Sequence, residues 1–162
     1  MRSEGQVVSA GPYERLSASS ALVPLMVAIL LDREARTPEE RQAIERNSAG
    51  KLRFLDRAML ENYLLEAAAI AAVLVELGQP TTPSAVENAL LTACGGSDPP
   101  DDIAAFNGAA ILKEVLSQLS ESRLEFRKTR DVPALVGWLI ENDRERLAPL
   151  RICLRKTFDL PV

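Results

Sequence analysis

The chain contains no histidine, and this absence removes whole classes of chemistry. Without imidazole there is no Ser-His or Cys-His nucleophile system, no histidine general base and no usual nitrogen ligand for zinc. The two cysteines, Cys94 and Cys153, lie far apart in the sequence, so they form neither a zinc knuckle nor a CxxC redox pair. We expect both to be reduced, semi-buried small side chains. Any chemistry that remains depends on carboxylates.

The chain also lacks any apolar run that approaches the roughly eighteen residues needed to cross a bilayer. The amino end carries Glu4, Gln6 and Glu14 and lacks the apolar centre of a secretory signal, which predicts a cytoplasmic location. A net charge of -4 argues against a protein that wraps nucleic acid over its whole surface. Hydrophobic residues make up 47% of the 162 residues, enough for one globular domain with an apolar core.

The sequence does contain an apolar run, Met26–Leu31, that stops on two acids, Asp32 and Glu34. Such a run is typical of a strand buried on both faces, as in the centre of a parallel α/β sheet. Ligands in these sheets gather at the carboxyl ends of the strands. Side chains two apart on an extended segment point to the same face, so both carboxylates can converge on one hard cation such as magnesium. The alternative is that these acids only solvate a loop.

A β-α-β unit is predicted from this run onward. Thr37-Pro38 forms a helix start, with threonine as N-cap and proline at the first helical position, and the helix should run to about Asn47. Lys51–Leu55 is short and alternates, which indicates the next strand. That strand would place Asp56 and Arg57 at the same edge of the sheet as the first acid.

The remaining elements are predicted from propensity and capping. A short strand is expected at 6–9 and a short helix or loop at 13–22, and everything after Ala58 has a helical pattern. These later helices are expected at Leu60–Leu77, Pro83–Ala93, 101–120, Val132–Asn142 and 143–157. The predicted fold class is α/β, with a small, mostly parallel sheet in the first third followed by an α-helical C-terminal portion. We expect residues 1–57 and 58–162 to pack as one compact domain.

Four segments together carry a resemblance: Ile29–Glu34, the charged helix, Leu52–Arg57 and Leu60–Leu65. They resemble the Toprim-like region attached to AAA/ABC-type ATPases of the OLD (overcoming lysogenization defect) group. There, a strand ends in Asp-x-Asp or a close variant, and the next strand is followed by an arginine and a Glu-Asn-Tyr-Leu box. The resemblance is concentrated in residues 26–70. It implies a fold that binds Mg²⁺ or Mn²⁺ for hydrolysis of phosphodiesters, with DNA and an ATPase chain as partners.

The resemblance also implies roles for individual acids. Asp32 matches the first acid of the family motif and would be the primary metal ligand. Glu34 matches the second, although a glutamate replaces the commoner aspartate and moves the carboxylate outward by a methylene. Toprim domains normally begin with a strand that ends in Glu-Gly, but here only Glu4-Gly5 precedes the first expected strand, and no phosphate loop is present. The chain therefore resembles the carboxyl-terminal part of a larger protein, with Glu4 as one candidate for the missing acid.

Two residues near the box keep alternative roles. Glu61 is a candidate catalytic residue and metal ligand, or it caps the helix together with Asn62 while the tyrosine fills the space beneath. Arg57 is a candidate phosphate contact, or it pairs with Asp56 or Asp32.

Two basic groups are candidates for contact with nucleic acid, although interleaved acids and the lack of aromatics favour a solvated surface of mixed charge. Trp138 lies among apolar residues at helical spacing, which indicates a core position. The second functional hypothesis is a non-catalytic protein-interaction module, and a homo-oligomer remains open. The basic residues are Arg123, Arg127, Lys128 and Arg130 in one group, and Arg151, Arg155 and Lys156 in the other.

Overall fold

The computed structural model describes residues 29–33, 36–48, 51–96 and 106–158 of the chain. Within these ranges the fold is mixed α/β and mostly helical, with a small parallel sheet early in the chain, which confirms the predicted fold class. No helix there is long and apolar enough to span a membrane. The elements are β1 (Ile29–Leu31), α1 (Pro38–Asn47), β2 (Leu52–Phe54), the 3-10 helix η1 (Leu60–Tyr63), α2 (Ala67–Glu76), α3 (Pro83–Ala93), α4 (Gly108–Leu119), α5 (Lys128–Asn142), the 3-10 helix η2 (Arg144–Leu147) and α6 (Ala148–Phe158).

The predicted β-α-β unit is confirmed. β1 and β2 pair in parallel, with Ile29 opposite Leu52, and α1 connects them. The start of α1 is a capping box: Thr37 Oγ1 accepts from the Glu40 amide at 3.2 Å, and the Glu40 carboxylate accepts from the Thr37 amide at 2.8 Å. The strand predicted at 6–9, the segment 13–22 and residues 26–28 of the strand predicted at Met26–Leu31 lie outside the described residues, as do the acids Glu4 and Glu34.

β1 is less buried than the apolar run predicted. Its three residues are partly exposed, whereas Leu52 and Phe54 of β2 are buried. In the described part of the chain the sheet has two strands, so β1 is not a central strand there. Leu30 lines an open pocket, which accounts for its partial exposure. Helix α6 contacts β1, and Cys153 Sγ donates to the Phe54 carbonyl at 3.8 Å.

The apolar core is built around α2, which has a sequence of small and branched residues that is buried on most sides. α3 and α5 pack against α2, and α4 packs against α3 and η1. Both cysteines are free, and both are buried rather than semi-buried. Trp138 is partly buried and packs against this core, which confirms its predicted position.

Two predicted helices are each divided into a 3-10 helix and an α-helix. The helix expected from Leu60 to Leu77 is instead η1 followed by α2, with Glu66 in an extended backbone conformation between them. The last helix was expected to be continuous, but η2 precedes α6. Pro149 has no amide hydrogen for the bond to the preceding turn, which favours this break.

Two other helices begin at positions different from those expected. α4 begins at Gly108, with Asn107 Oδ1 accepting from the Ala110 amide at 2.9 Å, so the predicted helix does not run through this glycine. α5 begins at Lys128 rather than Val132, and it contains Pro133 in its interior. The extra turn is stabilised by Asp131, whose Oδ2 accepts from the backbone amide of the N-cap residue at 2.7 Å.

Candidate functional site

Asp32 directly follows β1 at the carboxyl edge of the sheet. Its Oδ1 accepts a hydrogen bond from the amide of Leu60 at 3.1 Å, across 28 residues of sequence. This bond ties the strand end to the first residue of η1. The box that follows the second strand is therefore brought next to the predicted metal ligand.

Glu61, the second residue of η1, is the buried acid of this region, with 2% of its surface exposed. Its Oε1 lies 2.6 Å from Nζ of Lys128, the first residue of α5. Its Oε2 is buried and has no hydrogen-bond partner among the described residues. A buried carboxylate oxygen without a donor is costly, so this atom marks a position where a cation or a donor would be favourable.

The pKa of Lys128 is changed by the acids of the site. The hydrogen bond to the Glu61 carboxylate raises the pKa of Lys128 above its usual value, and the negative charges of Glu61 and Asp32 act in the same direction. Partial burial opposes the shift. The side chain is 62% exposed, so its ammonium approaches the acids from the solvent side.

The two acids and the lysine line one open pocket of 310 Å³. Charged groups form one part of its wall, and apolar side chains from β1, from the residue after β2, from η1 and from α5 form the rest. This arrangement can bind a small cation at the acids, with apolar surface limiting the access of water from the other side. The lining residues are Leu30, Asp32, Leu55, Leu60, Glu61, Lys128 and Val132.

The rest of the box supports this site rather than lining it. Asn62 is fully buried, and its side chain accepts from the Met59 amide at 3.2 Å and donates to the Phe106 carbonyl at 2.9 Å. Asn62 therefore caps η1, whereas Glu61, which the capping alternative placed beside it, pairs with Lys128. Tyr63 is also fully buried, and its hydroxyl accepts from the amide of Arg57 at 3.2 Å.

The guanidinium of Arg57 is engaged within the fold. It lies 4.7 Å from the centre of the Tyr63 ring and donates to the carbonyl of Asn62. Burial lowers the pKa of Arg57; the Tyr63 charge opposes this shift, and the positive charge of Arg146 adds to it. The structure thus places Arg57 beneath η1, outside the residues that line the pocket.

The structure also tests which acids come together. Among the described residues no group of three or more His, Cys, Asp or Glu side chains is placed to hold a metal. Asp32 and Glu61 share the pocket, whereas Asp56 is exposed and does not line it. Glu34 and Glu4 lie outside the described residues, so the third acid that the resemblance implies stays a prediction.

Lys128 is the site residue that sequence reasoning missed, because it was grouped with the neighbouring basic residues. Three of the four residues in that group pair with carboxylates: Lys128 with Glu61, Arg130 with Asp131, and Arg123 with Glu121. A helix N-terminus disfavours cations, so two basic residues in the first turn of α5 require acidic partners. That local conflict was the available signal, but the expected start at Val132 concealed it.

Comparisons with known proteins leave the family open. No protein-family model matches the chain, and neither a curated protein nor a solved structure matches it significantly.

Proposed function

We propose that the chain is a Toprim-like, metal-dependent nuclease-type domain of an OLD-like ATPase system, in which Asp32 and Glu61 bind Mg²⁺ or Mn²⁺. One observation carries the proposal: carboxylates from two separate elements line the same pocket at the carboxyl edge of a parallel strand pair. Ligand sites of α/β sheets lie at this edge, and hard cations prefer carboxylate oxygens.

The donor set fits such a cation in type. Both acids offer oxygen, and the buried Oε2 of Glu61, which lacks a donor among the described residues, is an acceptor that a cation would satisfy. Glu34 would supply a further carboxylate according to the family pattern. When bound, the metal would neutralise phosphate charge and lower the pKa of a bound water.

The residues of the chain then have distinct tasks. Asp32 and Glu61 hold the cation, and the hydrogen bond from Leu60 fixes the orientation of the Asp32 carboxylate. The apolar wall that includes Leu55 and Val132 restricts water on one side of the pocket. Buried Asn62 and Tyr63 keep η1 rigid, because small displacements of catalytic groups can lower a rate about a hundredfold.

We also propose partners for the chain and a cellular compartment. DNA is the proposed substrate, and an ATPase chain would deliver it or complete the site. With two acids in the described pocket, we expect the isolated chain to be a slow nuclease at best. A cytoplasmic location belongs to the same proposal, because free buried cysteines suit a reducing compartment.

Isothermal titration calorimetry with Mn²⁺ tests the proposal on wild type, Asp32→Asn and the control Asp56→Asn. Wild type and Asp56→Asn should bind at micromolar to millimolar strength and gain thermal stability, since a ligand of the native state stabilises it. Asp32→Asn should lose this response. Equal responses in all three proteins would remove the metal assignment. Cleavage of supercoiled and single-stranded DNA with Mn²⁺, with the same variants, then tests the activity.

The second candidate function is a non-catalytic protein-interaction module, and the surface of α6 favours it. This helix exposes large apolar side chains beside basic ones, and exposed apolar side chains of this kind mark a protein contact surface. If Mn²⁺ does not bind, sedimentation of wild type and Ile152→Glu tests self-association through this face. The exposed residues are Ile152, Leu154 and Phe158, with Arg151, Arg155 and Lys156.

A further inference from the structure

We infer that Lys128 is a tethered cation: its ammonium occupies the carboxylate site in the metal-free chain, and a divalent metal displaces it. The inference rests on the proposed function and adds to it a built-in competitor for the metal. It starts from the contact of 2.6 Å between Lys128 Nζ and Glu61 Oε1, inside the pocket that Asp32 also lines.

The lysine and a bound metal compete for the same negative charge. Two cations placed against one carboxylate repel each other strongly in a partly buried site, where screening by water is incomplete. Glu61 is 3% exposed in its side chain, so it needs a positive partner at all times. Lys128 provides that partner when no metal is present, and the metal provides it otherwise.

The two members of the ion pair differ in their freedom to move. Glu61 lies on η1, whose first amide is bonded to Asp32. The next two residues of η1, Asn62 and Tyr63, are fully buried. The position of the Glu61 carboxylate is therefore fixed. Lys128 has a flexible four-carbon side chain that is 62% exposed. Lys128 is therefore the member that leaves, and its ammonium regains water when it does.

A metal-binding comparison of wild type, Lys128→Met and Arg127→Met tests the inference. Arg127→Met is the matched control, because it removes one positive charge at the adjacent exposed position without touching the pocket lining. Lys128→Met should bind Mn²⁺ about fivefold to tenfold more tightly than wild type, since the competing charge-assisted hydrogen bond is gone. Arg127→Met should bind as wild type does. Glu61→Gln/Lys128→Met serves as a second variant and should bind more weakly than Lys128→Met.

A second readout on the wild-type chain needs no variant at the site. Mn²⁺ should increase the rate at which an amine-reactive reagent labels Lys128, as measured by mass spectrometry. Labelling of the exposed Lys113 on α4 should not change. Together with tighter binding by Lys128→Met, this result would support the inference.

The outcomes separate the two proposals. If wild type binds Mn²⁺ in an Asp32-dependent way but Lys128→Met binds equally or more weakly, the inference fails and the metal site stands. An equal gain in Arg127→Met would show a general charge effect and would also overturn it. If no protein binds Mn²⁺, including Lys128→Met, both proposals fall.

Discussion

Gly108 touches Asn62 so closely that the position has no room for a side chain. A Cβ at Gly108 would lie 2.7 Å from the backbone nitrogen and 3.0 Å from Oδ1 of Asn62. The first residue of α4 is thereby held against η1 at Asn62, the residue that follows Glu61. The packing of a distant helix thus fixes the position of the candidate site.

Gly108→Ala should destabilise the protein by about 1–3 kcal/mol, because overpacking against backbone outweighs the gain in helix propensity. Gly137→Ala is the control, since nothing lies within 4 Å of a Cβ there. It should stabilise α5 by about 0.5–1 kcal/mol. Urea unfolding followed by circular dichroism measures both. A neutral Gly108→Ala would show that η1 and α4 can separate without cost.

Lys128→Met should lower the free energy of unfolding by about 1–2 kcal/mol, because it leaves the buried Glu61 carboxylate without its ion pair. Most of the lysine is exposed, so water screening keeps the effect modest. In a Glu61→Gln background the same substitution should be nearly neutral. A double-mutant cycle from denaturant unfolding should therefore give a coupling energy of about 1–2 kcal/mol, whereas additive effects would contradict the pairing.

Asp131→Ala should cost about 2–3 kcal/mol, because Asp131 is 1% exposed and its loss removes charge-assisted hydrogen bonds to two partly exposed donors. Its carboxylate accepts from the Arg127 amide at 2.7 Å and from Arg130 Nε at 2.5 Å. The exposed Asp143, which accepts from the Arg146 amide at 3.4 Å, is the control. Asp143→Ala should cost about 0.5–1 kcal/mol by thermal or urea unfolding. Similar losses in the two variants would refute the role of Asp131 in starting α5.

Stability should fall as the pH rises above about 8.5, the ordinary thiol value in an unfolded chain. Burial raises the pKa of both Cys94 and Cys153; Glu114 adds to the shift at Cys94, and Asp56 adds to it at Cys153, while Thr157 opposes it there. The folded chain keeps thiol protons that the unfolded chain has released, so high pH favours unfolding. Urea unfolding between about pH 7 and pH 10 should show a shallower decline for Cys94→Ala/Cys153→Ala than for wild type. Equal slopes would contradict the thiol contribution.

Capping residues and apolar patterns in the sequence predicted much of the fold around the site. The Thr37-Pro38 pair fixed the start of α1, because capping and proline geometry act within one turn. The apolar run before Asp32 and the alternating segment after residue 50 determined a parallel strand pair, since β-strands joined by a helix pair in this way. The box from Glu61 to Tyr63 indicated a segment after β2 that either binds a metal or caps a helix. The absence of histidine restricted the site to carboxylates.

Only the tertiary structure decided what these residues contact. Lys128 meets Glu61 across 67 positions, and no local pattern specifies such a pairing. Asn62 bonds Phe106 and excludes a side chain at Gly108, which depends on how α4 approaches η1. Propensity and periodicity reach only a few residues along the chain, whereas a pocket is formed by groups that packing brings together. The sequence therefore predicted a set of acids, and the fold decided that two of them share a pocket with Lys128, which pairs with Glu61.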